Sequence, residues 1–143
     1  MKKFASYLIY AILIACIACA CSSDIDIRQD YKFKVTHLPV PKKVKKGETI
    51  EIRCQLERSG RFDQARYSFR FFQFDGVGEL KMDNEVVLLP NDYYDLTEET
   101  FRLYYTSLSS DAQSLDVYFF DKAGNNYTLQ FSFNPDNSTE GEP

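Results

Sequence analysis

The chain has 143 residues, of which 17 are basic, 21 acidic and one histidine, for a net charge of −4. Less a leader of about twenty residues it has room for one domain, and of the chain's 12 phenylalanines and 10 tyrosines all but Phe4, Tyr7 and Tyr10 lie beyond that leader, where they can build a core. The 17 basic residues less Lys2 and Lys3 of the leader leave 15 against 21 acidic ones, a net charge of −6. That balance argues against a binder of nucleic-acid backbones, because such domains carry an excess of Lys and Arg.

The leader has the three parts of an export signal in order: basic Lys2-Lys3, an uncharged stretch from Phe4 to Ala20, and small residues before a cysteine. A plain membrane helix is the competing reading, since about 17–25 apolar residues span a bilayer. Three cysteines follow at 16, 19 and 21, each after an alanine. Lipoprotein processing needs small residues before a cysteine whose thiol accepts a diacylglycerol. Leu13-Ile14-Ala15-Cys16 has the better local pattern, while Cys21 opens directly onto the polar stretch Ser22-Ser23-Asp24. Cys21 is therefore the favoured lipidation site and Cys16 the alternative, with Cys19 last. The expected organisation is a signal segment over 1–21, a polar tether over 22–30, a domain over 31–134 and a flexible tail over 135–143. The domain is expected outside the cytoplasm, membrane-anchored by its lipid, with the outer membrane favoured.

From residue 31 onward the chain reads as short alternating segments divided by turns, the pattern of an all-β domain. Tyr31, Phe33 and Val35 alternate first, and Pro39 and Pro41 then interrupt, as in an edge strand that changes partners. The basic run Lys42, Lys43, Lys45 and Lys46 reads as a solvated edge that discourages strand pairing, or else as a docking patch for an acidic partner. Thr49–Leu56 alternates strictly and puts Cys54 on the apolar side. A lone thiol has no partner within the domain, so no intradomain disulfide is expected and Cys54 reads as a small buried hydrophobe.

Tyr67–Phe74 is a strand with aromatics on both faces, and Asp75–Gly78 is a turn. Two weaker segments follow at Glu79–Met82 and Glu85–Leu89, and Pro90-Asn91-Asp92 closes that section. A helix from Leu96 with Thr97 as its cap is conceivable, but the alternation of Phe101, Leu103 and Tyr105 resumes at once. Leu115, Val117 and Phe119 form a further strand, and a hairpin loop at Asp121–Asn125 leads to Tyr127, Leu129, Phe131 and Phe133.

About seven to nine strands at this spacing predict an immunoglobulin-like two-sheet sandwich. Cys54 lies inward on the second strand, and Val117 or Phe119 stands where a bridging cysteine would be sought on the sixth. An up-and-down barrel is the alternative.

The residues offer little for catalysis. A general base needs an orienting partner and a nucleophile in reach, and the single His37 has neither beside it in sequence. The acidic residues Asp75, Asp83, Asp92, Asp95, Asp111 and Asp121 are scattered on turns. Asp121 with Asn125 suits a plain turn, or a weak calcium loop whose spacing matches no EF-hand. Gly76-Val77-Gly78 is too short for a phosphate-binding loop. No enzyme, cofactor, metal or small-molecule substrate is expected.

The aromatic surplus says more. With Phe69 and Phe71 inward on one strand, Phe72 and Phe74 point outward; with Leu115, Val117 and Phe119 inward on another, Tyr118 and Phe120 point outward. In an immunoglobulin-like arrangement these strands are neighbours, so one outer face gathers Phe72, Tyr118 and Phe120 with Arg70 nearby. Such a cluster suits a protein-binding or sugar-stacking face. The segment from Asp75 to Pro90 could instead fold over the cluster and bury it.

Several stretches resemble the TraQ family of conjugative-transposon transfer proteins of Bacteroides-like bacteria. They are Ile27–Tyr31 (IRQDY), Pro39–Glu48 (PVPKKVKKGE), Glu51–Leu56 (EIRCQL), Phe71–Gly76 (FFQFDG), Leu89–Asp92 (LPND), Phe101–Ser107 (FRLYYTS) and Asp116–Phe119 (DVYF). The resemblance covers about residues 24–134 and contains no catalytic motif. It implies an immunoglobulin-like lipoprotein that is an accessory or structural component of a conjugative DNA-transfer apparatus, with other proteins of that apparatus as partners. The alternative is a carbohydrate-binding or adhesin-type surface lipoprotein that uses the aromatic face.

Overall fold

The computed structural model describes residues 2–18, 31–60, 64–83 and 85–138. The leader forms one helix, α1 (Lys2–Ala18). Among the described residues no helix is long and apolar enough to cross a membrane. Cys16 lies on α1, whereas Cys19, Cys21 and the tether at 22–30 lie outside the described residues.

Ten strands follow among the described residues: β1 (Phe33–His37), β2 (Lys43–Val44), β3 (Thr49–Arg58), β4 (Tyr67–Asp75), β5 (Gly78–Met82), β6 (Val87–Leu88), β7 (Tyr94–Leu96), β8 (Thr100–Ser107), β9 (Gln113–Asp121) and β10 (Asn126–Pro135). The sequence predicts about seven to nine strands at such spacing, and the surplus has a physical reason. β2 and β7 have two and three residues, too few for a two-residue period to show. No helix forms at Leu96, where β7 ends and β8 soon begins.

The strands form two five-stranded sheets, ordered β1-β3-β8-β5-β6 and β2-β10-β9-β4-β7. With β2, β6 and β7 set aside, this is the four-plus-three order of the immunoglobulin constant-type sandwich. The all-β, immunoglobulin-like, disulfide-free architecture predicted above is thus the one observed; Cys54 is a free, buried thiol. The prolines act where expected. β1 pairs with β3 in the first sheet, and after Pro39 and Pro41 the chain crosses to lay β2 parallel to β10 in the second.

Alternation fills the space between the sheets. β3 contributes Ile50, Ile52, Cys54 and Leu56, and its neighbour in the same sheet, β8, adds Phe101, Leu103 and Tyr105 beside them. From the other sheet come Phe69, Phe71, Leu115, Val117, Phe119, Phe131 and Phe133. Phe119 joins the layers, its ring 5.9 Å from Phe69 in its own sheet and 5.8 Å from Phe101 in the opposite one. Burying each such side chain stabilises the fold by about 1.5–3 kcal/mol.

One end of the core is polar and fully bonded. Tyr105 donates its hydroxyl proton to Gln113 Oε1 at 2.5 Å, and Gln73 Nε2 donates to the Tyr105 oxygen at 2.6 Å. Gln113 Nε2 in turn reaches Ser109 Oγ and the Asp111 carbonyl, both at 2.9 Å. Gly76 and Gly78 make room for this network. A Cβ on Gly78 would collide with the Tyr105 ring and hydroxyl, and one on Gly76 (φ +74°) would collide with the Gln113 amide. The Gly-Val-Gly segment is thus a packing device beneath two buried polar side chains.

Candidate functional site

β4 and β9 are antiparallel neighbours in one sheet, with Arg70 opposite Tyr118, Phe72 opposite Asp116 and Ser68 opposite Phe120. Cross-strand partners on one face lie within about 5.5 Å at Cβ, so the register gathers the four predicted side chains on one outer surface. The Arg70 guanidinium carbon stands 5.6 Å from the centre of the Tyr118 ring and 5.5 Å from that of Phe120. Phe72 is 43% exposed and packs at a tilt beside Phe74, 54% exposed, with ring centres 5.0 Å apart. Tyr118, Phe120 and Arg70 are half-buried.

The segment from Asp75 to Pro90 does not cover this face. It turns away at Gly76 and builds β5 and β6 onto the edge of the opposite sheet. On its return, Asn91 takes a left-handed conformation (φ 66°) that asparagine tolerates, and its N–H bonds to the Phe71 carbonyl at the open edge of β4, at 2.8 Å. Tyr94, whose ring lies 5.9 Å from Phe69, accepts the Leu89 N–H on its hydroxyl at 2.7 Å. With Tyr94 turned toward the core, Tyr93 is left on the outside.

Two residues that sequence reasoning missed complete the cluster. Tyr93, 62% exposed, brings its ring centre to 5.4 Å from the Arg70 guanidinium and 5.8 Å from Phe120. Asn91 Oδ1 accepts a hydrogen bond from Arg70 Nη1 at 3.0 Å. The signal available for Tyr93 was the pair Tyr93-Tyr94 after a Pro-Asn-Asp turn, because adjacent strand residues face opposite ways.

The rest of the face is polar. Thr128, Gln130 and Ser132 of β10 are exposed beside β9. Asp116 Oδ2 accepts both the Tyr118 hydroxyl at 3.2 Å and the Gln130 amide at 3.3 Å. Desolvation, then the bond to Asp116, raises the Tyr118 phenol above its ordinary value. An aromatic patch with one cation and a polar margin is the usual anatomy of a protein-binding surface.

The other candidates are placed elsewhere. His37 is exposed at the end of β1, its Nδ1 2.8 Å from the neighbouring Leu38 carbonyl and its ring against Phe131. The Asp121 carboxylate is engaged in the β9–β10 turn, accepting the Asn125 backbone N–H at 2.8 Å and its side-chain amide at 2.9 Å. Among the described residues no group of three or more His, Cys, Asp or Glu side chains is placed to hold a metal ion. The lysine run straddles the edge strand β2, with Lys42 before it, Lys43 on it, and Lys45 and Lys46 after it.

Comparison with known proteins places this architecture. Residues 4–136 match the model of the TraQ conjugal transfer protein family. Among solved structures, a conjugative transposon lipoprotein from Bacteroides eggerthii is 50% identical, with a TM-score of 0.70 over 73% of this chain and 98% of that one. A lipoprotein from Bacteroides thetaiotaomicron is 59% identical, with a TM-score of 0.69 over 81% of this chain and 89% of that one. A conjugate transposon protein from Bacteroides vulgatus is 44% identical, with a TM-score of 0.67 over 85% and 97%. No curated protein matches the chain. With the family model spanning nearly its whole length and three relatives sharing the sandwich, the chain belongs to the TraQ conjugal transfer protein family.

Proposed function

We propose that this protein is a non-enzymatic lipoprotein of the cell envelope that serves as an accessory or structural component of a conjugative DNA-transfer apparatus. A lipid on Cys21, or alternatively on Cys16, holds it to the membrane, with the outer membrane favoured. The sandwich then works outside the cytoplasm through contacts with other proteins of the apparatus. Family membership and the conjugative-transposon lipoproteins among its relatives support the setting. The observation that carries the mode of action is the outer face of β4 and β9, where Phe72, Phe74 and Tyr93 remain exposed and Tyr93 lies against Arg70. Exposed aromatics with an arginine at their centre are the residue types that dominate binding energy at protein interfaces.

Deleting the gene in a donor strain tests the role. Transfer frequency is expected to fall and to return with the intact gene, but not with a chain carrying Phe72→Ala, Tyr118→Ala and Phe120→Ala that is exported to the same level. Undiminished transfer in the deletion strain sinks the proposal. Glycan binding abolished by the same three substitutions, with transfer unaffected, would replace it with a carbohydrate-binding role. Labelling with a fatty acid tests the anchor: label is expected to vanish in Cys21→Ala, and label that survives replacement of Cys16, Cys19 and Cys21 together removes the lipid from the proposal.

A further inference from the structure

The aromatic half of this face holds a cation that no carboxylate of the described residues pairs with. Arg70 forms no ion pair among the described residues, and Asn91 supplies its side-chain acceptor. Its Nε is buried without an acceptor. Asp116 is on the same surface, but its carboxylate is taken up by Tyr118 and Gln130. Asp95 stands on β7 opposite Ser68 and makes no ion pair with Arg70 either. Arg53 and Arg102 pair with Glu51, and Arg58 with Glu99, while Arg66 also lacks an ion pair among the described residues but is exposed to water and bonds the Ala65 carbonyl. Arg70 differs from all of them in being half-buried among aromatic rings with a charge left to pair.

The surroundings prepare that charge for a partner. Tyr93, Tyr118 and Phe120 lie around the guanidinium at 5.4–5.6 Å, and the Asn91 bond fixes its orientation. A planar guanidinium held this way offers a fork that matches a carboxylate and loses little freedom when it pairs. Beside it, Phe72 and Phe74 present exposed ring surface. One isolated cation in a chain of net charge −4 does not suit a polyphosphate, which is bound by many cations together.

We infer that this face receives an acidic segment of a partner protein. An Asp or Glu side chain pairs with Arg70, and an adjacent apolar side chain lies on Phe72 and Phe74. The inference rests on the reading of this face as a docking surface and adds the chemistry of what docks.

The test uses the full-length lipoprotein in donor cells, with a benzophenone-bearing amino acid in place of Phe72 to trap whatever lies against it. Adducts are mapped by mass spectrometry and compared with and without R70Q and R70K. The expected adduct lies on a segment containing Asp or Glu. Its yield falls about tenfold or more in R70Q, as for loss of one member of a desolvated charge pair, and only about two- to threefold in R70K, which keeps the charge without the fork. Reversing that carboxylate to lysine in the partner is expected to abolish the adduct and to restore it when combined with R70E. An adduct equally strong in R70Q, or on a segment without a carboxylate, overturns the acidic partner while leaving the docking surface standing. No adduct from Phe72 or from the same probe at Tyr93 overturns both. Should R70Q fail to reach the envelope, R70K and the charge reversal decide alone.

Discussion

The inner and outer faces of β4 and β9 are built from much the same residue types and behave as two different surfaces. Phe69, Phe71, Val117 and Phe119 are buried, while Arg70, Phe72, Tyr118 and Phe120, each one residue further along the chain, keep contact with water. Inside, rings meet rings: Phe119 touches both Phe69 and Phe101, and Tyr105 stacks on Phe133 with centres 5.6 Å apart. Outside, rings gather about an arginine that forms no ion pair among the described residues. The polar groups differ in the same way. The hydroxyl and amides of Tyr105, Gln73 and Gln113 bond one another inside, whereas Arg70 Nε has no acceptor outside. A satisfied buried network fixes a fold, whereas a half-buried guanidinium without an ion pair, beside exposed rings, still has a charge to offer a partner.

Truncation on the two faces should separate them most sharply. Phe119→Ala removes the ring that joins the sheets and is expected to cost about 3–5 kcal/mol in urea unfolding. A loss below about 1 kcal/mol would mean that the inner face is not the dominant core. Next in size is Gly78→Ala, whose methyl must displace a fully buried Tyr105; about 3 kcal/mol is expected, the upper range for overpacking. Gly47→Ala is its control. Nothing lies within 4 Å of the added carbon there, and only the φ of +85° opposes it, for about 1 kcal/mol. Similar losses at the two glycines would remove the packing role assigned to Gly78.

A smaller effect tests the dryness of the interior by titration. Burial pushes the Cys54 thiol from 9.0 up to about 12. The unfolded chain therefore releases this proton at lower pH than the native state does. The native advantage is complete below pH 9.0 and declines as the pH rises towards about 12, by at most about 1.4 kcal/mol per pH unit. Cys54→Val should remove that share of the alkaline slope in unfolding measured at a series of pH values. Equal slopes in the two proteins would show that water already reaches the thiol.

What the sequence made legible follows from length and period. β3, β4, β8, β9 and β10 each run for eight residues or more, enough for alternation to reveal which side chains turn inward. The sheet change after β1 was readable because proline cannot continue a ladder. β2 and β7 were not, being too short to show a period. Tyr93 escaped for the same reason, since two adjacent tyrosines beside a three-residue strand do not say which faces out. The bond between Arg70 and Asn91 joins positions 21 apart and depends on where β5 and β6 take the chain between them. Turn residues mark that the chain bends at Gly76, where φ is +74°, but the further demand for glycine at Gly76 and Gly78 comes from the packing of Gln113 and Tyr105.

The smallest effect is the most telling for the outer face. Arg70→Gln removes the Asn91 bond and three cation–ring contacts, each worth about 0.5–1 kcal/mol at an exposed site. It also removes a buried N–H without an acceptor, a defect that costs about 1–3 kcal/mol where it stands. These changes oppose each other, and Asn91 keeps its own backbone bond to Phe71, so the edge segment stays in place. The expected net change in urea unfolding is within about 1 kcal/mol, well below that of Phe119→Ala, and Phe120→Ala should behave alike. If Arg70→Gln costs as much as Phe119→Ala, the cluster is a structural support for the Asn91–Tyr94 segment, and the outer face loses its claim to be held in readiness for a partner. If it costs little while partner contact is lost, stability and recognition have been divided between the two sides of a single strand pair.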